Sequence, residues 1–140
     1  MRKTRVVFLG FAVLLLAGCG GAAYKDGLYT GKSGTDDTGA WGEVTITVEA
    51  GKIRDCEFIT RQKDGTPKDE NYGKINGEIS NRDYYDKAQL AVEAMEKYAA
   101  AYRRAGSLKD VEAVSGATIA YNQFIEAVET ALEKARQARR

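Results

Sequence analysis

Residues 43–49 alternate without a break: Val44, Ile46 and Val48 are apolar, and Glu43, Thr45, Thr47 and Glu49 are polar. A repeat of two matches a β-strand, whose successive side chains point to opposite faces, so one face of this segment is buried and the other meets water. Such a strand needs a partner strand and a layer to cover its apolar face. The partner follows at once. Ala50-Gly51 supplies the turn, and residues 52–61 return around Ile53, Cys56, Phe58 and Ile59. The apolar spacing there departs from strict alternation, which predicts a bulge or burial on both sides. A short strand is expected at 28–31, behind the turn signal Asp26-Gly27. Residues 32–42 hold Gly34, Asp36, Asp37 and Gly39 and read as a polar loop, with the aspartate pair solvated rather than binding a cation.

Two helices supply the covering layer. Ser80 and Asp83 have capping-box spacing, with aspartate in the glutamate position, and predict a helix start. Ala88, Ala91, Val92, Met95, Ala99 and Tyr102 then recur at helical spacing, Arg103-Arg104 suits the negative end of the helix dipole, and Gly106 suits a stop. A second helix is expected after Thr118, with Tyr121, Phe124, Ile125, Val128 and Leu132 inward and Asn122, Gln123, Glu126, Glu129 and Glu133 outward. Its basic tail, 134–140, suits a helix C-terminus and is expected to fray. Residues 62–82, with Gly65, Pro67, Gly73 and Gly77, read as an extended loop. The fold class is α+β: a small antiparallel sheet of the 43–61 hairpin and the 28–31 strand, with two helices packed on one face.

Ahead of this domain stand Arg2, Lys3 and Arg5, with no acidic residue before Cys19, and a nearly unbroken apolar run over 6–16. Crossing a bilayer takes about 20 apolar residues, so this run is too short for a transmembrane helix and reads as part of a signal peptide. It ends in Leu16-Ala17-Gly18-Cys19, which resembles the lipobox of bacterial lipoproteins. Small residues fit a peptidase pocket, and the Cys19 thiolate is the nucleophile that takes the diacylglyceryl group. The expected organisation is a lipoprotein signal peptide over 1–18, lipidated Cys19 with a short linker over 19–23, and one domain over 24–140. The lipid holds that domain on the extracytoplasmic face of the cell membrane. The bland alternative is an ordinary signal peptide followed by a chance cysteine.

Charge and residue usage exclude several functions. The leader holds three of the 21 basic residues and none of the 20 acidic ones, so residues 19–140 carry 18 against 20, a formal charge of −2. That balance argues against nucleic acid as a partner and against a polybasic grip on lipid headgroups. With Cys19 used by lipid, Cys56 has no partner for a disulfide and reads as a small apolar strand residue. There is no histidine, which removes the commonest general base and most zinc sites. Redox or acid–base chemistry here must come from something bound.

The segment that points to such a group is Val111-Glu112-Ala113-Val114-Ser115-Gly116-Ala117-Thr118. It is a tight turn of small residues opening a helix. Gly116 and Ala117 leave the backbone bare, the free amides of a helix start favour phosphate, and Thr118 adds a hydroxyl. The same residues also suit a plain helix cap, with Ser115 or Thr118 satisfying the first amides.

Ser115-Gly116-Ala117-Thr118, introduced by an acidic residue three before the serine, resembles the flavinylation motif of the FMN-binding domain family. That domain occurs in sodium-pumping quinone reductase, in related electron-transfer subunits and in small lipoproteins. The resemblance extends further. Asp26-Gly27-Leu28-Tyr29-Thr30-Gly31 is similar to the family's opening strand, residues 42–59 with Gly51-Lys52-Ile53 to its hairpin, and residues 119–132 to its closing helix. Residues 64–89, with Tyr84-Tyr85-Asp86-Lys87-Ala88-Gln89, resemble the lipoprotein subgroup sometimes labelled major membrane immunogen.

On this resemblance residues 24–140 are an FMN-binding domain. Thr118 would accept FMN through a phosphoester to its side-chain oxygen, installed from FAD by a separate flavin transferase that uses magnesium. Ser115, Gly116 and Ala117 would form the recognition turn and phosphate cradle. Glu112 stands where the motif usually has aspartate, and Ala120 where many members have serine or threonine. The function implied is a redox carrier rather than an enzyme. It would take electrons from a membrane donor such as a quinone or NADH dehydrogenase and pass them to an extracytoplasmic acceptor. Trp41, Tyr29, Tyr72, Tyr84, Tyr85 and Tyr121 are candidates to stack on the flavin ring. Two other readings compete: a surface lipoprotein that binds flavin or another ligand noncovalently for sensing or adhesion, and a flavin-dependent reductase. The Thr118 hydroxyl favours the carrier, and the missing acid–base residues weigh against the reductase.

Overall fold

The alternating segment becomes the middle of the sheet. In the computed structural model, which describes residues 23–140, β2 (Trp41–Glu49) lies between β1 (Gly27–Thr35) and β3 (Lys52–Arg61), antiparallel to both. The signal peptide, Cys19 and linker residues 20–22 lie outside the described residues. Gly42, Val44, Ile46 and Val48 are buried and the residues between them half-buried, as period two requires. The expected irregularity in β3 is a bulge. Thr47 faces Asp55 and Val48 faces Ile53, so Arg54 has no opposite residue. The extra residue puts Ile53 and Cys56, three apart in sequence, on the same inner face. Cys56 is free and buried, and burial pushes its thiol up to about 12, which makes it an inert packing residue.

Both helices cover that inner face. α1 (Arg82–Ala105) packs on β3, and α2 (Thr118–Gln137) packs on β1 and β2. The core joins Val44, Ile46 and Val48 to Tyr98 and Tyr102 of α1 and to Phe124 and Val128 of α2. Gly31 sets the depth of α2: a Cβ there would stand 1.9 Å from the Ala127 carbonyl oxygen. Ala127, Ala131 and Ala135 continue the small-residue contact along the helix. No helix among the described residues is long and apolar enough to cross a membrane.

Several local expectations need correction. β1 runs well past Gly31, because a bulge between Lys32 and Thr35 absorbs the glycine-rich stretch and the Ser33 hydroxyl accepts the Gly42 N–H at 2.8 Å. The loop shrinks to a turn in which the Asp36 carbonyl accepts from Gly39 and the Asp36 side chain accepts from Thr38 and Ala40. α1 is capped by Asn81, not Ser80: the Asn81 side chain accepts the Tyr84 N–H at 3.0 Å. Its buried stripe includes Ala94 and Tyr98, whereas Ala91 and Val92 are only half-buried. The basic tail is tied down through much of its length. Lys134 Nζ donates to the Thr30 carbonyl at 2.7 Å and the Arg136 guanidinium lies 5.7 Å from the Tyr24 ring. Gln123 points inward rather than to solvent, and is 5% exposed.

Candidate functional site

The Val111–Thr118 segment folds as a turn fastened to α1. The Ala117 N–H donates to the Val114 carbonyl at 3.0 Å, closing the turn. Gly116 has φ +85°, a left-handed conformation that favours glycine. Tyr98 is the fastener. Its buried hydroxyl accepts the Val114 N–H at 3.0 Å and donates to the Ala117 carbonyl at 3.2 Å. Tyr121 holds the same segment from α2, donating its hydroxyl to the Val111 carbonyl at 3.1 Å. Neither tyrosine stood out in the sequence as part of this device. The signal was present for Tyr98, which falls four residues before Tyr102 on the α1 stripe.

This turn delivers the start of α2 without a side-chain cap. The N-cap position is Ala117, and no side chain bonds the first amides. Thr118 is exposed and its hydroxyl bonds no described residue. The plain-cap reading, with Ser115 or Thr118 satisfying the amides, is therefore not what forms. Unpaired amides and the positive end of a 20-residue helix make this terminus suited to an anion.

Thr118 stands on the wall of a cleft of about 480 Å³. That size suits a cofactor. The helix start contributes Gly116, Ala117, Thr118, Ile119 and Ala120. α1 contributes Lys87, Ala88 and Ala91, and the loop after β3 contributes Lys68 and Tyr72, with Tyr84 beside them. Asp36 and Thr38 close the side nearest the β1–β2 turn, and Gln123 lies at the base. Of the six aromatic candidates, Tyr72 and Tyr84 line the cleft. Tyr29, Tyr85 and Tyr121 are engaged elsewhere through their hydroxyls, and Trp41 lies near Lys32, whose Nζ is 5.8 Å from its ring. Ser115 and Glu112 are exposed and off the cleft wall.

The electrostatics favour a ligand with a negative end and a flat end. Lys68 and Lys87 bring two cations to the cleft that the bare helix terminus also lines. Lys68 Nζ also lies 5.0 Å from the Tyr72 ring centroid. Interaction with the neighbouring Tyr72 raises the Tyr84 phenol above its usual range, so that ring stays neutral near pH 7. Burial alone would raise the Asp36 carboxyl. The hydrogen bonds from Thr38 and Ala40 outweigh it, with Lys68 adding to them, and hold the group below its usual range. No cluster of metal-ligating side chains occurs among the described residues. Lys68, Lys87, Asp36, Thr38 and Gln123 were not legible as cleft residues in the sequence, because two unrelated loops and two helices bring them together.

These residues fit a phosphorylated flavin. The uncapped amides and two lysines suit the phosphate, Tyr72 and Tyr84 offer aromatic faces, and the buried Gln123 Oε1 is an acceptor without a partner. A family model described as "FMN-binding domain" matches residues 39–133. No curated protein matches the chain. Among solved structures, a crystal structure of a Clostridium perfringens protein aligns with a TM-score of 0.64 at 24% identity, covering 82% of this chain and 91% of that one. A solution structure of a Clostridium thermocellum protein aligns with a TM-score of 0.47 at 28% identity, covering 79% and 92%. The first shares this fold.

Proposed function

The chain belongs to the FMN-binding domain family, and from that premise we propose that it is a membrane-anchored extracytoplasmic lipoprotein that carries FMN covalently on Thr118 and works as an electron carrier. The observation that carries this reading is the Thr118 hydroxyl: exposed, without a partner among the described residues, and set at an uncapped helix N-terminus on the wall of a cofactor-sized cleft. A hydroxyl spent on capping would not be free to form an ester.

Attachment is a group transfer. The Thr118 oxygen bonds to the flavin-side phosphorus of FAD, the pyrophosphate P–O bond breaks, AMP leaves, and the hydroxyl proton passes to solvent. A flavin transferase with magnesium catalyses the exchange. The first amides of α2, with Lys68 and Lys87, then hold the ester phosphate by charge and hydrogen bonding. Tyr72 and Tyr84 supply the aromatic wall, and Ala88, Ala91 and Ile119 exclude water beside it. Bound FMN supplies the redox chemistry, and the chain supplies position and field. Lipid on Cys19 keeps the carrier at the membrane, where a quinone-linked or NADH-linked donor delivers electrons.

The test is a denaturing gel viewed under ultraviolet light after expression with an active flavin transferase. A fluorescent band that disappears in Thr118→Ala supports the ester. A dark wild-type band sinks covalent attachment. The same protein binding FMN in native solution would then support the second reading, a noncovalent flavin site, for which the uncapped amides and paired lysines suffice.

A further inference from the structure

Gln123 holds a buried acceptor with nothing to accept. The side chain is 5% exposed and lies at the base of the cleft, in the second turn of α2. Its Nε2 donates to the Ala40 carbonyl at 3.1 Å and faces Asp36 Oδ2 at 3.4 Å. Both neighbours are acceptors, since Asp36 is held ionised, so the amide can be oriented in one way only: nitrogen toward them, oxygen away. Oε1 is then left without a partner among the described residues. Native proteins rarely leave a buried side-chain oxygen unpaired, and a ligand that supplies the donor is one resolution. The same residue lines both the cleft and an adjoining hollow with Asp36, Thr38 and Ile119.

We propose that Gln123 Oε1 is the acceptor for the N3–H of the isoalloxazine ring, and that Gln123 is the positioning residue that sets the ring's orientation in the cleft. The inference rests on the FMN reading above and deepens it. An oxidised flavin ring carries a single N–H, at N3, between two carbonyls. A lone buried acceptor is the complement of that group. The phosphate belongs at Thr118, five residues earlier and about 7.5 Å along the helix axis, which leaves Gln123 on the ring's side of the cleft. The Asp36 carboxylate behind Nε2 locks the amide's orientation, so the donor the site asks for is fixed before any ligand arrives.

The test uses the full chain purified without a transferase, titrated with riboflavin and with N3-methylriboflavin while flavin fluorescence is followed. Neither probe has a phosphate, so the lysines and helix terminus drop out of the comparison. Wild type binds the methylated flavin about tenfold more weakly, the loss of one buried hydrogen bond. Gln123→Met, close in shape but without an acceptor, binds riboflavin about tenfold more weakly and shows no further loss on N3-methylation. Thermal melting of each unliganded protein reports whether the variant folds. If Gln123→Met does not, wild type alone decides: with ¹⁵N3-labelled riboflavin, the bound N3–H exchanges slowly with solvent. Equal affinity of wild type for both flavins, an equal methylation penalty in both proteins, or a fast-exchanging N3–H overturns the inference and leaves Oε1 to a ribityl hydroxyl or a water. Wild type that binds no riboflavin likewise overturns the inference, and wild type that also stays dark after expression with an active flavin transferase and binds no FMN overturns the FMN reading itself.

Discussion

The Lys25 amide donates to the Ala135 carbonyl at 3.4 Å, tying the start of the domain to the last turn of α2, while Thr118 opens that helix at its other end. The helix has 20 residues, so the two ends stand about 30 Å apart. If Cys19 carries the proposed lipid, the anchor would enter beside the C-terminal end of α2 and the cleft would be carried on the far side of the domain. The short linker would then keep the domain near the bilayer without bringing the flavin to it. Lipidated, flavinylated protein in nanodiscs with spin-labelled acyl chains should keep its flavin fluorescence. A dye on Lys25→Cys should be quenched by spin-labelled headgroups. Strong acyl-chain quenching of the flavin would refute this placement. On the proposed function, electrons would then be exchanged with a partner reaching out of the membrane rather than with a group buried in it.

The hydroxyl of Tyr98 bridges Val114 and Ala117, so Tyr98→Phe removes both bonds while keeping the ring in its contacts with Tyr121 and Phe124. The Ala117 carbonyl retains the Tyr121 amide, but the half-buried Val114 N–H loses its acceptor. A loss of about 1–2 kcal/mol is expected, a few degrees in melting temperature. The turn loosens ahead of Thr118, so the initial rate of flavinylation should fall several-fold. Unchanged flavinylation with lowered stability would confine Tyr98 to the core.

The hairpin and both helices were legible because their burial is periodic: Val44, Ile46 and Val48 every second residue, and Phe124, Val128 and Leu132 every fourth. The place of Thr118 at a helix start was legible locally, since the turn and the helix start are adjacent in sequence. The cleft's other walls were not. Lys68 and Tyr72 come from a loop whose residues follow no period, and the polar stretch after Gly31 hid a strand continued by a bulge. Gln123 misled for a physical reason. A polar residue beside the apolar stripe reads as solvated, yet the Ala40 carbonyl needs a buried donor at that point.

Gly31 should tolerate no side chain. A Cβ there meets the Ala127 carbonyl oxygen at 1.9 Å and the Ala131 amide nitrogen at 2.6 Å, both backbone atoms of a helix that cannot move without leaving the sheet. Gly31→Ala is expected to cost about 3 kcal/mol or more, at the upper end of overpacking. Gly34→Ala, three residues on in the same strand, meets only the Glu126 carboxylate at 3.4 Å and should be close to neutral. Urea denaturation of both variants checks the contrast. Similar midpoints would mean that α2 does not rest on Gly31.

Asp36 should make stability sensitive to acid. Its carboxyl titrates below the usual range in the folded protein, because hydrogen bonds from Thr38 and Ala40 outweigh the opposing effect of burial. A depressed folded pKa stabilises fully above the unfolded value of about 3.9, and the benefit is lost as pH falls through the folded pKa. The melting-temperature gap between wild type and Asp36→Asn should therefore hold steady from pH 7 to about pH 5 and close below about pH 4. A gap that persists into strong acid would mean that the charge of Asp36 plays no part.

Lys68 and Lys87 should separate phosphate binding from ring binding. Both line the cleft that also carries Thr118 and the uncapped amides. Lys68→Ala and Lys87→Ala should each weaken FMN several-fold, roughly 3- to 10-fold at low salt, and the loss should shrink as salt rises and screens the pair. Riboflavin has no phosphate, so Lys87→Ala should leave its affinity unchanged. Lys68→Ala should lower it slightly, because the ammonium 5.0 Å from the Tyr72 ring helps to hold that aromatic wall in place. Titrations of both flavins at two ionic strengths give the answer. If the two flavins lose affinity equally in Lys87→Ala, that lysine supports the cleft and does not hold the phosphate.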